Sequence, residues 1–417
     1  MPVLNITGGP VSGTIRAHGA KNSILPILAA TLLNRDVSVI TNCPDLADVR
    51  SSLKILRHLG CKAEYADGTV TVDSSGVTRA DIPEALMREM RSSVIFLGAV
   101  LARTGRADMS RPGGCELGTR PIDLHLAALK SMGAELSENG SDISCRASRL
   151  TGTEIILSFP SVGATENIMI AACAADGVTT VKNAAREPEI EDLQAYLRAM
   201  GADVTGGGTS TVCINGCMDK LRGAEHRVMP DRIETATYLC AAAMAGGRVT
   251  VEDAVPEHNS AVLSALSEAG CEISARRGAI SLKRYKPLRP VRPVRTMPYP
   301  GFPTDAQSPL MSVCTRAGGV TVFTENIFES RFRHVGELAR MGADIRIEGR
   351  VAVVFGVNKL YGARVKCEDL RGGAALVVAA LGTEGVTTIS HLTHIDRGYA
   401  NLTENLTALG VNITRTP

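Results

Sequence analysis

The sequence predicts an α/β protein built from six copies of one helix–strand–helix–strand–strand unit, grouped as two pseudo-threefold domains. Three observations predict it. A short phrase recurs six times at near-constant spacing. Each copy is flanked by the same switch between helical and strand-like periods. The 417 residues, 44% of them hydrophobic, are enough for two or three domains.

The phrase reads "HLGCKAEY" around Gly60, "SMGAELSE" around Gly133 and "AMGADVTG" around Gly201. It continues as "EAGCEISA" around Gly270, "RMGADIRI" around Gly342 and "ALGVNITR" around Gly410. The spacings of 73, 68, 69, 72 and 68 residues are too long for a solenoid repeat and suit a small subdomain. The fifth copy shows the anatomy. "TDAQSPLMSVCTRAG" has a helical period, "GVTVFTEN" reads as a strand, and "FESRFRHVGELARMG" is an amphipathic helix. "ADIRIEG" and "RVAVVFG" then alternate as strands. The shared glycine falls where a helix ends in the left-handed conformation. Two domains of three units follow, residues 21–229 and residues 1–20 with 230–417, divided near "HRVMPDRIE". The residues before Lys21 precede the first unit's helix and are expected to give a strand to the other half.

Composition narrows the function. Basic and acidic residues nearly cancel, 45 against 43, so neither a nucleic-acid groove nor an anionic membrane surface is indicated. Any anion must be held by a local site. "MPVLNITGGP" has neither a basic nor an apolar signal region, and no apolar run reaches the roughly 20 residues that span a bilayer. Eleven cysteines, an odd number scattered through apolar stretches, predict reduced thiols in a cytoplasm. Aromatic residues make up 3% and tryptophan is absent, so stacking on bases does not drive recognition.

Aligned on the shared glycines, the units place odd polar residues at the start of their first helices. Lys21, Arg91, Val162, Asp231, Asp305 and Arg371 open segments that are otherwise largely apolar, such as "KNSILPILAATLL" and "RGGAALVVAAL". Such helices should be buried, with their N-terminal N–H groups and partial positive charge directed at a shared cleft. Cations at that end are disfavoured by the helix dipole, which points to an anionic ligand that offsets the cost. Asp231 and Asp305 read equally well as site residues or as ordinary N-caps.

The loop after each first strand carries the second set. It includes Cys43-Pro44-Asp45, "AAREPEIED", "PEHNS", "IFESRF" and "HIDRGY" with Arg397. In the second unit, the longest, it becomes "RPGGCELGTRPIDLH". There Cys115 follows two glycines between Arg111 and Arg120, cations that pull a thiol pKa below about 8.5. Such a thiol serves as a nucleophile or as a general acid. The other ten cysteines lie in apolar contexts and read as core. Cys213-x3-Cys217 and His391-x2-His394 are isolated pairs and predict no metal site. No phosphate-binding or dinucleotide glycine loop is present, and no cofactor is implied. The residues alone therefore describe a two-domain enzyme for a multiply anionic substrate, with a thiol and a carboxylate as acid and base.

A resemblance takes this further. "GAKNSILPILAATLL", "RPGGCELGTRPIDLH", "FPSVGATENIM", "NAAREPEI", "MPDRIETATYL", "GFPTDAQ", "TENIFESRF", "DLRGGAALV" and "HIDRGY" occur in order from about residue 8 to the end. In these motifs the chain resembles the UDP-N-acetylglucosamine 1-carboxyvinyltransferases, the enolpyruvyl transferases that open peptidoglycan precursor synthesis. The resemblance implies two inside-out α/β domains with the active site in the cleft between them. It implies transfer of the enolpyruvyl group of phosphoenolpyruvate to the 3′-hydroxyl of UDP-N-acetylglucosamine, through a tetrahedral ketal. Cys115 then matches the acid above the vinyl carbon, a thiol also open to attack by thiol-directed inhibitors. Asp305 matches the carboxylate at the sugar hydroxyl. Lys21, Asn22, Arg120, Arg371 and Arg397 match the groups around phosphoenolpyruvate, where arginine's planar fork suits phosphate and carboxylate. Arg91, Arg120, Pro121, Ile122, Asp123, Leu124, Ser161, Val162, Gly163, Asp305 and Ile327 match contacts to the nucleotide sugar. Phe159 stands where some members carry a lysine, so the diphosphate loses one charge contact. Two other readings compete: transfer to a different acceptor such as shikimate 3-phosphate, and a non-catalytic duplicate that binds the nucleotide sugar or a protein. Neither nucleic acid nor membrane is expected as a partner.

Overall fold

The computed structural model describes residues 2–113 and 122–416. They form two compact units, 2–18 with 230–416 and 19–113 with 122–229. The second of these holds three helices buried along most of their length: Lys21–Ala30, Phe96–Thr104 and Val162–Ala172. The unit containing 230–416 has three counterparts, Arg232–Ala245, Thr304–Cys314 and Leu370–Ala380. A helix that is apolar on every face has no side to offer to water and is stable only when surrounded. Within each unit the three inner helices pack on one another. Some of the small hydroxyls they bury are satisfied by main-chain carbonyls. Ser312 Oγ donates to the carbonyl of Ala375 at 2.8 Å, and Thr237 Oγ1 donates to that of Ile233 at 2.9 Å.

Each repeat adds one amphipathic outer helix and a four-stranded sheet. Ala47–Leu59, Asp123–Ser131 and Pro188–Ala199 are the outer helices of one unit. Ser260–Glu268, Val335–Arg340 and Leu402–Ala408 are those of the other. The six recurring glycines that follow them all have positive φ, from 85° at Gly410 to 109° at Gly60, where a side chain would be strained. In the sheet strands buried and accessible residues alternate, as in Val178–Lys182, so one face meets the helices and the other meets solvent.

The sheets contain one strand more than the sequence unit suggests. A short strand runs parallel to each repeat's first long strand: Glu225–Arg227 on Val37–Thr41, Asp81–Ile82 on Arg106–Ser110, and Glu154–Ile156 on Val178–Lys182. In the other unit Val11–Arg16, Val294–Arg295 and Arg364–Lys366 play this part. Apart from the six-residue Val11–Arg16, these strands have two or three residues, too few to show a period of two, so the pattern cannot reveal them. Residues 3–16 contribute twice. Val3–Thr7 lies between Val386–Ser390 and Asn412–Thr416, antiparallel to both, while Val11–Arg16 pairs with Gly247–Glu252.

The cysteines correct one expectation. Eight of the ten described are buried, but Cys213 and Cys217 are half-exposed. Cys213 alternates with Val212 and Ile214, whose side chains take the buried face of strand Thr211–Asn215, so its thiol points the other way. Among the described residues no helix is long and apolar enough to cross a membrane.

Ile6, fully buried in the central N-terminal strand, should cost about 2–5 kcal/mol when replaced by Ala. Val178→Ala, at an exposed strand start, should stay within about 0.5 kcal/mol. Urea unfolding of both variants checks the contrast, and equal losses would contradict the placement of the N-terminal strand.

Candidate active site

Buried helices leave only their ends for chemistry. Lys21 is the first residue of its helix, and the preceding Ala20 provides no side-chain cap. Its ammonium lies 2.8 Å from Asp48 Oδ2, and both side chains are almost wholly buried. The expectation that a ligand alone offsets this cation is therefore too simple, because Asp48 already neutralises it at the unfavourable end of the dipole. Ser23, two residues on, donates to Asp192, which also accepts from the Met229 N–H at 3.1 Å and from His226 Nε2 at 2.9 Å. This ties down the turn that carries Lys21 and the half-buried Asn22.

Asp305 sits in the first turn of Thr304–Cys314, behind the non-capping Pro303. Its carboxylate accepts from Arg371 Nε at 2.9 Å and from Arg331 Nη2 at 3.3 Å. Burial alone would raise its pKa, but Arg371 and then Arg331 outweigh burial and hold the carboxyl far below the usual carboxylate range. The side chain of Asp305 keeps 27% of its surface accessible, against 2% for Arg331 and 4% for Arg371. The carboxylate is thus the member of the cluster open to a ligand. Arg371 also donates to Tyr399 Oη at 3.1 Å, which exchanges a hydrogen bond of 2.9 Å with Thr237 Oγ1. Arg371 stays charged throughout, since the tyrosine and two carboxylates outweigh the desolvation that acts against it.

The alternative left open for the two aspartates now divides. Asp231 is a working N-cap, its Oδ1 accepting from Ile233 and Glu234 N–H groups at 2.7 and 3.0 Å. Asp369 does the same for Arg371 and Gly372 at 3.0 Å each. Asp305 caps nothing in this way.

Pro26 and Pro309 are each the sixth residue of an inner helix. Proline lacks the N–H that would bond four residues back, so the carbonyls of Asn22 and Asp305 lose their intrahelical donor. In both helices the turn loosened is the one that bears a candidate site residue.

Two charged residues, Arg331 and Asp48, were missed by sequence reasoning, although a signal for them exists in an offset they share with Arg397. Arg331 lies seven residues beyond the strand end at Thr324, and Arg397 seven beyond Ser390. Asp48 stands at the same offset from Thr41. Four of these loops start alike, with Asn42, Asn183, Asp253 and His391 in the left-handed region at φ of 52° to 59°. For Asp48 and Arg397 the shared backbone turn makes the offset a structural equivalence that the phrase alignment does not expose, whereas Arg331 shares the offset without that turn. In the loop before Arg331, the buried Glu325 accepts from the N–H groups of Ile327 and Phe328 at 2.9 and 3.0 Å, which fixes the half-buried Ile327. Arg397 closes the 3-10 turn Leu392–Arg397 and is also half-buried.

In the other unit Arg91 opens a 3-10 turn and donates to the Pro112 carbonyl at 3.3 Å. Ser161 caps Val162–Ala172 by accepting from the Ala164 N–H at 3.3 Å, leaving Val162 and Gly163 at a partly accessible helix start. Ile122 is buried, Asp123 exposed and Leu124 half-buried at the start of their helix. Phe159 is 43% exposed, two residues before the Ser161 cap. Cys115, Arg120 and Pro121 lie outside the described residues. Among the described residues no group of three or more His, Cys, Asp or Glu is arranged to hold a metal ion.

Comparison with known proteins adds independent findings. The family model described as EPSP synthase (3-phosphoshikimate 1-carboxyvinyltransferase) matches residues 6–406. A protein of Caldanaerobacter subterraneus subsp. tengcongensis named UDP-N-acetylglucosamine 1-carboxyvinyltransferase 2 is 51% identical over 416 residues, covering 100% of both chains. One of Symbiobacterium thermophilum, named UDP-N-acetylglucosamine 1-carboxyvinyltransferase 1, is 48% identical and covers 98% of this chain and 94% of its own. The crystal structure of the enolpyruvyl transferase NikO from Streptomyces tendae matches with a TM-score of 0.89 and 28% identity, over 100% of this chain and 99% of that one. EPSP synthase from Acinetobacter baumannii matches over 100% of both chains with a TM-score of 0.77 and 20% identity, a likeness of fold.

The charge balance at Asp305 can be read directly. Its carboxyl carbon, followed by carbon-13 NMR, should show no protonation step from pH 7 down to about pH 3. Arg371→Met removes the nearer cation and should bring the midpoint up into that window. An unshifted midpoint would show that Arg371 does not set the ionisation.

Proposed function

The chain belongs to the enolpyruvyl transferase family of EPSP synthases and UDP-N-acetylglucosamine 1-carboxyvinyltransferases, and from that premise we propose the reaction it carries out. It transfers the enolpyruvyl group of phosphoenolpyruvate to the 3′-hydroxyl of UDP-N-acetylglucosamine and releases phosphate. The observation that carries this reading is the 51% identity, along the whole chain, to a relative of that name. A proton adds to the vinyl CH2 of phosphoenolpyruvate while the sugar oxygen bonds to C2, giving a ketal. Loss of a methyl proton and of phosphate restores the double bond, so atoms and protons balance.

The residues divide this work. Cys115 supplies the proton, and its thiol is the point open to covalent inhibitors. Lys21, Asn22, Arg120, Arg371 and Arg397 hold the phosphate and carboxylate, where preorganised charge stabilises the ketal-forming transition state. Arg91, the run Arg120 to Leu124, Ser161, Val162, Gly163 and Ile327 hold the nucleotide sugar, with Asp305 at its hydroxyl. Asp305 is held ionised, so it always offers a lone pair to that hydroxyl. Its basicity is low while Arg371 and Arg331 bind it. When Arg371 turns toward the anionic co-substrate, the carboxylate becomes a stronger base. We further place the enzyme in the cytoplasm, at the first committed step of peptidoglycan precursor synthesis. Cell-wall formation, cell shape and division then depend on it.

Recombinant protein should release phosphate from phosphoenolpyruvate only when UDP-N-acetylglucosamine is present, with the enolpyruvyl sugar nucleotide as co-product. Release driven instead by shikimate 3-phosphate would replace this reading with the activity named in the family model's description. Cys115→Ser should nearly abolish turnover, because a hydroxyl with a pKa far above 7 is a poor acid. Cys115→Asp should keep part of the activity and lose reactivity toward thiol-directed epoxides. Full turnover by Cys115→Ala would overturn the acid assignment.

A further inference from the structure

The site reading above does not use His125, a buried imidazole three residues behind Ile122. Its Nδ1 lies 2.9 Å from Asn167 Nδ2. The Cε1–Nε2 edge of the ring abuts Gly163, where an added Cβ would stand 3.2 Å from Cε1 and 3.4 Å from Nε2. Gly163 is in the first turn of Val162–Ala172, whose leading N–H groups lack intrahelical partners. Among the described residues nothing accepts a hydrogen bond from Nε2.

Asn167 leaves no freedom over which nitrogen carries the proton. Its Oδ1 accepts from the Gly98 N–H at 2.7 Å, and its Nδ2 donates to the Val94 carbonyl at 3.0 Å. Val94 and Gly98 are spaced as the two partners of one helical hydrogen bond, where the 3-10 turn Arg91–Ile95 runs into Phe96–Thr104. The side-chain amide spans the two as a peptide group would. Backbone donors and acceptors cannot exchange roles, so the amide cannot flip. A Cβ on residue 98 would overlap Oδ1, which is why glycine stands there. The second hydrogen of Nδ2 then points at His125 Nδ1, which must offer a lone pair, and the ring proton is left on Nε2.

We propose that Asn167 is a positioning residue that locks His125 as the neutral Nε2–H tautomer, so that the ring presents an uncharged, permanent hydrogen-bond donor to the nucleotide sugar's diphosphate beside Gly163. The proposal rests on the functional reading given above for the identity of the ligand. Protonation of the ring would set an Nδ1–H against the amide's own hydrogens. Two further effects act in the same sense: burial lowers the pKa, and Arg91 lowers it further against a weaker pull from Asp123, leaving it at about 4. A neutral donor keeps the same strength across the physiological pH range, which a free imidazole with a pKa near 6.5 does not.

The test uses the full-length protein labelled with nitrogen-15 at histidine. In the unliganded wild type, Nδ1 should read as unprotonated and Nε2 as protonated from pH 5.5 to 8. A ring that titrates inside that window, or carries its proton on Nδ1, overturns the lock. Asn167→Asp keeps the acceptor for Gly98 but turns an acceptor toward Nδ1. The proton should move there, and the ring should charge within the window. Binding of UDP-N-acetylglucosamine to that variant should then weaken on the order of tenfold between pH 5.5 and pH 8, relative to wild type, as Nε2 turns from donor to acceptor. An unchanged ratio would remove His125 from the site even if the tautomer is confirmed. Wild type that fails to bind the nucleotide sugar at any pH would count against the proposed function, while the ring's protonation still decides the role of Asn167.

Discussion

A helix buried on every side meets its surroundings only at its ends, and that constraint organises this protein. The six inner helices can carry core along their length and chemistry only in their first turns. Those turns bring unpaired N–H groups and a partial positive charge, which suit anionic ligands. They also make a lysine or arginine costly there. The fold answers with counter-charges of its own: Asp48 beside Lys21, and Asp305 beside Arg371 and Arg331. The cations are thus neutralised without a ligand.

The cluster at Asp305 shows what such pairing makes possible. Two guanidiniums keep the carboxylate ionised, and they are buried while it remains partly accessible. A charged group in this position is held by the fold, not by solvent, so its basicity depends on where its partners point. Tyr399 and Thr237 hold Arg371 from the far side. Capping by Asp369 fixes the backbone that carries it. The proposed base and the proposed cation for phosphoenolpyruvate thus share one ion pair.

Much of this was legible in the sequence because the repeat is written in residues with strict backbone demands. The six glycines mark helix ends that require positive φ, and their spacing revealed the unit count. Apolar first helices with polar openings pointed to Lys21, Asp305 and Arg371. Other features left no such mark. Edge strands of two or three residues are shorter than any readable period, and their pairing depends on residues far away in the chain. Arg331 and Asp48 emerge only when the strand ends are known, since their common offset of seven is counted from there. The hydrogen bond of Asn167 to His125 joins residues 42 apart, and no local pattern announces it.

The most direct test of the account is mass spectrometry of the products formed from phosphoenolpyruvate and UDP-N-acetylglucosamine in heavy water. Addition of a proton to the vinyl carbon and its later loss predict an enolpyruvyl sugar nucleotide with deuterium in its methylene group. A product free of deuterium would contradict the addition–elimination course, and absence of that product would contradict the function itself.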